Sequence, residues 1–277
     1  MTELVILIVS HNASRDLERC LESLTNRPPA SPHELIVIDN ASSDDSAQVV
    51  RTRWPHVRLI ELQANVGFAR ANNIGFRDSE SELVLLLNSD TIVPPGAIDR
   101  LVAELRHLPD AAIVGPRLVD GRGRPELSFG RMIAPWAELK QKLILRLHEH
   151  GLSPVSRWVG SETSRLHAVD WVSGACLLVR RTDAEAAGLL DERYFMYCED
   201  VDFCAAVRLL GRQVYFTPAV SIVHLRGRSV AKAPAAAERA YRQSQLAFYQ
   251  KHRAGWVPWL RAYLRLRGKL PRSSADI

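Results

Sequence analysis

An α/β fold with a doubly wound, mostly parallel sheet is what this chain predicts, and three observations predict it. Short apolar runs alternate with stretches of helical periodicity as far as Gly115. The helical stretches open on Ser, Asp or Pro, the residues that satisfy or tolerate the free N–H groups of a first turn. At 277 residues, 47% hydrophobic and 24% charged, the chain is an ordinary globular sequence, long enough for one large domain or two small ones.

Leu4–Val9, Leu35–Ile38, Val57–Leu62, Leu83–Leu87 and Ala112–Val114 read as strands, each near the usual length of about five or six residues. Between them, Ser14 caps a helix running to about Leu24, Ser43 with Asp44 and Asp45 begins another, and Pro94-Pro95 begins a third that stops near Pro109. Strand, helix, strand in this rhythm requires parallel pairing through right-handed crossovers. After Gly115 the rhythm breaks. Asp120-Gly121 and Gly123 mark a turn, and Trp136–Leu147 predicts an amphipathic helix with Trp136, Leu139, Leu143 and Leu147 along one stripe. A strand through Trp171–Val179 follows, then a helix from Glu199 to about Leu210 with Phe203, Ala206, Val207 and Leu210 as its buried stripe. Strands at Val214–Phe216 and Ser221–His224 close the series. The organisation expected is a catalytic domain over residues 1–235, in halves 1–117 and 118–235, and a helical segment over 236–277.

Cys20, Cys176, Cys198 and Cys204 have no paired zinc spacing and apolar neighbours, which suits small buried hydrophobes in a reducing compartment. No basic leader precedes Leu4 and no apolar run approaches about 18 residues, so a cytoplasmic protein is expected. Charge is segregated. Arg239, Arg242, Lys251, Arg253, Arg261, Arg265, Arg267, Lys269 and Arg272 face one acid, Asp276, beyond Glu238, whereas residues 1–238 hold more acids than bases although the whole chain is +5. A basic tail on an acidic body argues against nucleic acid and for a surface-binding appendage.

The strand ending at Leu87 runs into Asn88-Ser89-Asp90, and ligands of parallel α/β sheets gather beyond such carboxyl ends. A second acidic group, Glu199-Asp200-Val201-Asp202, opens a later helix. One carboxylate holding a divalent cation on a diphosphate and another taking a proton are the minimum for group transfer from an activated nucleotide. Taken alone, the second group is equally explained by the helix dipole, at about 0.3–1 kcal/mol per acid.

Seven segments in order carry a resemblance: Val9-Ser10-His11-Asn12, VIDNASSDD at 37–45, NVGFARANNIGF at 65–76, LLLNSD at 85–90, WVSGACLLVRR at 171–181, DERYFMYCEDVDFC at 191–204 and HLRGRS at 224–229. Together, over roughly residues 3–230, they resemble an inverting family-two glycosyltransferase of the GT-A fold, closest to its bacterial rhamnosyltransferase-like branch. The resemblance implies that Asp39 accepts from the base imide, with Ser10, Asn12, Gly67, Asn72 and Asn88 around the nucleotide. Asp90 and His224 hold Mg²⁺ or Mn²⁺, and Trp171, Ser173 and Gly174 line the sugar. Asp200 is the general base, with Glu199 supporting the acceptor or the loop, and Arg226 and Arg228 clamp the diphosphate. Asn88 departs from the family's DxD triplet: it reaches a ribose hydroxyl but adds no charge beside a cation, so Asp90 carries more of the coordination. An amide there leans the donor toward a deoxythymidine-diphosphate sugar, rhamnose above all.

Each residue also has a plainer role: Asp39 as a turn former, Ser10 and Asn12 as caps, Gly67 as a loop glycine, His224 as a structural strand end, Arg226 and Arg228 as solvated charges. In the tail, Trp256, Trp259, Leu260, Tyr263 and Leu264 follow helical spacing, with Arg261, Arg265 and Lys269 on the other side. This reads as an interfacial helix holding the enzyme at the inner face of a membrane near lipid-linked acceptors, or as a helix docked on the domain by its aromatic stripe. Two alternatives stand beside the transferase: an inactive membrane-associated scaffold, and a sugar nucleotidyltransferase, which the sequence Ser10-His11-Asn12-Ala13 lacks the glycine-rich loop to support.

Overall fold

The structure, a computed structural model, describes residues 2–225 and 234–271. Four strands, β1 (Leu4–Ser10), β2 (His33–Asp39), β3 (Arg58–Glu61) and β4 (Leu83–Asn88), pair in parallel in the order β3-β2-β1-β4. Helices α1 (Ser14–Thr25), α2 (Ser46–Arg53) and α3 (Phe68–Arg77) make the crossovers. Every β1 residue is buried, because helices cover both faces and the strand needs no polar alternation. Its period of two divides the core: Leu4, Ile6 and Ile8 pack with α1 on one face, and Val5, Leu7 and Val9 pack with α3 on the other. The chain winds outward from β1 in both directions, so the carboxyl ends of β1, β2 and β4 form the crevice of a topological switch point.

The second half extends the sheet with mixed polarity. After β5 (Thr91–Ile92), α4 (Ala97–His107), β6 (Ala111–Val119) and β7 (Phe129–Gly130) come α5 (Pro135–Glu149), α6 (Ser153–Glu162), β8 (His167–Val169), β9 (Trp171–Val172), β10 (Cys176–Arg180), α7 (Arg181–Ala186), α8 (Glu199–Leu209) and β11 (Gln213–His224). β10 inserts antiparallel between β4 and β6, so the wholly parallel winding expected of the first half does not continue across the sheet. α9 (Pro234–His252), a 3₁₀ turn (Ala254–Trp256) and α10 (Val257–Leu266) follow.

Four expectations change. The strand expected over 171–179 is broken at Ser173-Gly174-Ala175, where the chain leaves its ladder to meet Asp200. The strands expected at 214–216 and 221–224 are one strand with an irregularity between Thr217 and Ser221. Leu210 lies past the end of α8 and is exposed, whereas Phe203 and Val207 are buried. The helix expected at 136–147 exists as α5, but Trp136, Leu139 and Leu143 face outward, and the core instead takes Ile144 and Leu145.

The tail is neither wholly free nor docked by its aromatic stripe. Val257 and Leu260 pack on a cluster of Tyr194, Cys198, Val201, Phe248 and Tyr249, and Leu264 is fully buried. Trp259 and Tyr263 point away from it into solvent. Among the described residues no helix is long and apolar enough to cross a membrane.

Candidate functional site

One end of the crevice is built from strand termini. Ser10 closes β1 with its backbone carbonyl accepting from Asn40 N–H at 2.8 Å, and Asp39 closes β2 with Oδ2 accepting from Ser42 N–H at 3.0 Å. Both are buried, and so is Asn72 on α3, whose Nδ2 donates to the Phe68 carbonyl at 3.0 Å. Each keeps one buried oxygen without a protein partner among the described residues: Ser10 Oγ, Asp39 Oδ1 and Asn72 Oδ1. Leaving such atoms dry costs about 1–3 kcal/mol each, and all three at one crevice leave hydrogen-bonding capacity there for a polar ligand. Asn12, at φ 53°, braces two loops: its N–H donates to Ser42 Oγ at 3.0 Å and its Oδ1 accepts from Ser43 N–H at 2.7 Å.

A residue to which the sequence assigns no role of its own is central. Asn40 is buried and cross-links the next loop, donating to Asn65 Oδ1 at 2.9 Å and accepting from Val66 N–H at 2.9 Å. Gly67, at φ 86°, is the point of closest approach, and the group that approaches it is protein backbone. A Cβ there would lie 2.4 Å from the Phe195 carbonyl oxygen, which also accepts from Phe68 N–H at 2.7 Å. Asn73 adds a second tie, donating to the Leu190 carbonyl at 2.8 Å. The loop at 65–67 and the segment leading into α8 are thus stitched together.

That segment stores strain. Tyr197 and Cys198 are consecutive non-glycine residues in the left-handed region, at φ 72° and 67°. Such residues cost on the order of 1–3 kcal/mol each and persist only where neighbours enforce them. Here α9 does so: Ser244 Oγ donates to the Met196 carbonyl at 2.8 Å, and Tyr241 packs edge-on to Tyr197. Glu138 of α5 holds α9 in turn, accepting from Tyr249 at 2.8 Å and Gln245 at 2.7 Å.

Out of this turn α8 delivers Glu199 and Asp200. Glu199 is buried, and burial followed by the charge of Asp200 holds its carboxyl well above the usual range. Asp200 is also raised by burial, while Gly174 N–H at 2.9 Å from Oδ2 and Val201 N–H at 2.8 Å from Oδ1 pull it back. It is the more accessible of the two. Gly174 lets Asp200 sit this close, since a Cβ on it would be 3.3 Å from Asp200 Cβ. One residue on, the Ala175 carbonyl accepts from Asn88 N–H at 2.9 Å, which ties the Asp200 wall to the end of β4.

At that end, Asp90 Oδ1 lies 3.3 Å from His224 Nε2, and Asn88 Nδ2 lies 3.5 Å from the same nitrogen. His224 Nδ1 is 3.4 Å from Glu126 Oε2, and both residues are buried. Burial alone would lower the imidazole, but hydrogen bonds to Asp90 and Glu126, with their charges, outweigh it and push its pKa up to about 9. The donor set fits a divalent cation. Neighbouring ligands of an octahedral ion at ~2.1 Å sit ~3 Å apart, near the Asp90–His224 spacing, and a carboxylate behind the far ring nitrogen is the usual orienting partner of a metal-bound histidine. Among the described residues no group of three or more such side chains forms a complete cage, so diphosphate and water oxygens would fill the remaining positions. Glu126 carries no sequence signal of its own; only its place behind His224 reveals it.

Trp171 spends its indole N–H on the Arg131 carbonyl at 2.9 Å and covers Gly130 with its ring. Arg226 and Arg228 lie outside the described residues. All four cysteines are buried and free, and burial pushes the Cys20 thiol up to about 12.

The family model described as "Glycosyl transferase family 2" matches residues 5–178. An N-acetylglucosaminyl-diphospho-decaprenol L-rhamnosyltransferase of Mycobacterium tuberculosis is 30% identical over 316 aligned positions, covering 99% of this chain and 96% of that protein. Rhamnosyltransferase WbbL of Escherichia coli is 26% identical over 230, covering 79% and 82%. Among solved structures, a mannosyltransferase of Pyrobaculum calidifontis in complex with GDP-Man and Mn²⁺ superposes with a TM-score of 0.62 at 18% identity, covering 94% of this chain and 68% of that one. That likeness speaks for the GT-A fold.

Proposed function

The chain belongs to glycosyltransferase family 2, and from that premise we propose that it moves rhamnose from dTDP-rhamnose to a hydroxyl of a glycan or lipid-linked acceptor, with inversion. The observation that carries the reading is the trio of buried oxygens at the strand ends, Ser10 Oγ, Asp39 Oδ1 and Asn72 Oδ1, which lack protein partners among the described residues. Asp39 Oδ1 suits the imide N–H of thymine, and a nucleotide would satisfy the others. The names of two rhamnosyltransferases among the relatives favour the sugar.

In this reading Asp200 takes the proton of the acceptor hydroxyl, which attacks the anomeric carbon from the face opposite the diphosphate. Its raised pKa makes it a stronger base than an ordinary carboxylate, and the Gly174 N–H keeps it aimed. Glu199, its carboxyl raised well above the usual range by burial and by the charge of Asp200, supports the loop. Trp171 and Gly174 wall the sugar, Asn12, Gly67 and Asn88 shape the nucleotide side, and Asp90 with His224 anchors Mg²⁺ or Mn²⁺. A cation held there supplies positive charge to the departing diphosphate. Arg226 and Arg228 are assigned to the same diphosphate by the sequence resemblance. The enzyme works at the inner face of the cell membrane as a peripheral protein, with residues 1–235 as catalytic domain and 236–277 as the attached segment.

The test is a donor competition: dTDP-rhamnose, UDP-hexoses and GDP-mannose with Mn²⁺ and a soluble acceptor analogue, the anomeric configuration of the product being read by NMR. Transfer from dTDP-rhamnose with inverted configuration is expected. Consumption of UDP-sugars with dTDP-rhamnose ignored would overturn the donor, and retained configuration would overturn the single displacement.

A further inference from the structure

Helix α5 presents an outward apolar stripe that the fold leaves uncovered: Trp136, Leu139 and Leu143, at i, i+3 and i+7, with Trp136 75% exposed. On the opposite side of the helix, Glu138 is tied to α9 by Tyr249 and Gln245. Helix α10 repeats the arrangement. Leu260 and Leu264 dock it, while Trp259, Tyr263 and Leu266, at i, i+4 and i+7, face solvent, Trp259 at 71% and Leu266 at 88%. Met132 and Ile133, just ahead of α5, pack on the same cluster as Val257 and Leu260 of α10, which brings the start of α5 close to α10.

Exposed bases flank both stripes. Lys140 and Arg146 lie beside the first and Arg267 beside the second, none paired with a carboxylate among the described residues. Apolar stripes opposite the docking faces, bordered by unpaired bases, are the signature of helices lying in the headgroup layer of a bilayer. A second copy of the chain is a poorer occupant, because stripes bordered by arginines would bring like charges together across a two-fold axis.

We propose that the outward faces of α5 and α10 form one platform that seats the protein on an anionic lipid surface. This rests on the reading that the enzyme works at a membrane, and it extends that contact from the C-terminal segment to a helix inside the catalytic domain. Six side chains point into the lipid and the flanking bases meet its headgroups.

The experiment is co-sedimentation of the full chain with phosphatidylcholine vesicles, with or without about one third phosphatidylglycerol. The wild type is compared with Trp136→Ser/Leu139→Gln/Leu143→Gln and with Trp259→Ser/Tyr263→Ser/Leu266→Gln. None of the six substitutions touches the buried core, so melting temperatures and transfer to a soluble acceptor should stay near wild type. Each triple variant is expected to bind anionic vesicles about tenfold or more weaker, and salt to weaken the wild type further. Unchanged binding by the α5 variant with loss in the α10 variant overturns the platform and leaves a tail-only contact. No vesicle binding by the wild type, with transfer intact, removes the membrane reading itself. A wild-type dimer in light scattering that either variant converts to monomer, without vesicle binding, assigns the stripes to a second copy and overturns the proposal.

Discussion

Replacing Gly67 by Ala should damage both stability and turnover, and the structure sets the size of the effect. The new Cβ would fall 2.4 Å from the Phe195 carbonyl oxygen and 2.9 Å from its Cα, both backbone atoms that cannot rotate aside. Opening the first contact to about 3 Å requires a shift of roughly 0.6 Å, which lengthens the bond from Phe68 N–H to that carbonyl, worth about 0.5–1.5 kcal/mol. At φ 86° and ψ 170° the backbone is also in a region held almost only by glycine, adding about 1–3 kcal/mol. Together these predict a loss of about 2–4 kcal/mol, or roughly 4–12 °C in melting temperature for a chain of this size. Phe195 leads through the strained Tyr197-Cys198 turn to Asp200, so the shift also reaches the proposed base. A displacement approaching 1 Å there can cost about 10²-fold in rate. The assay is differential scanning fluorimetry beside steady-state transfer, with dTDP affinity measured separately. A variant with wild-type melting temperature and kcat would refute the claim that this contact links the donor loop to the base.

Asp200→Asn should lower kcat by about 10²–10⁴-fold while leaving dTDP affinity within about twofold, since shape is kept and only the proton acceptor is lost; near-normal turnover would remove Asp200 as base. Asp90→Ala and His224→Ala should each weaken Mn²⁺-dependent dTDP binding, Asp90 more so, and unchanged titration calorimetry in both would move the cation elsewhere. Because Asp90 and Glu126 keep His224 protonated up to about 9, the cation must displace a proton, and Mn²⁺ affinity should climb from pH 7 toward pH 9 with proton release. The same raised pKa stabilises the metal-free fold below about pH 6.5, and that contribution is lost as pH rises through about 9. Asp202→Asn should cost on the order of 3 kcal/mol, because Lys251 at 2.8 Å and His252 at 2.5 Å both rest on that buried carboxylate; an unchanged melting temperature would refute the tie.

The crevice was legible in the sequence because apolar strands that end in Ser10, Asp39 and Asn88 announce their own carboxyl ends, and a parallel sheet gathers ligands there. Helical period was equally legible, but period does not say which neighbour a stripe meets. Trp136, Leu139 and Leu143 form the stripe expected and face solvent, because Glu138 on the opposite side is claimed by α9. In α10 the apolar positions wrap more than one face, so Leu260 and Leu264 dock while Trp259 and Tyr263 stay outside. Glu126 and Asn40 escaped for another reason. Their partners, His224 and the Asn65–Gly67 loop, are distant in sequence, and a lone Glu or an Asn in a turn has no spacing to betray it. The partner of Gly67 is a backbone carbonyl, which leaves no residue-type signal at all.

The three acids at the start of α8 show why the helix dipole alone is too small an account of them. Dipole stabilisation asks only for negative charge near exposed N–H groups, and any of the three would serve while remaining solvated. Instead each is committed differently. Glu199 is buried with its carboxyl raised, Asp200 is held by Gly174, and Asp202 is buried beneath Tyr194, Lys251 and His252. Taking carboxylates out of water is unfavourable unless partners repay the lost hydration: Asp200 takes the Gly174 N–H between β9 and β10, and Asp202 takes Tyr194 from the loop before α8 with Lys251 and His252 of α9. The helix start is therefore the joint where the sheet, the strained turn and the C-terminal segment are locked together. The basic segment that looked like an appendage in the sequence is, through Lys251, His252 and Phe248, packed against the turn of α8 that carries Asp200.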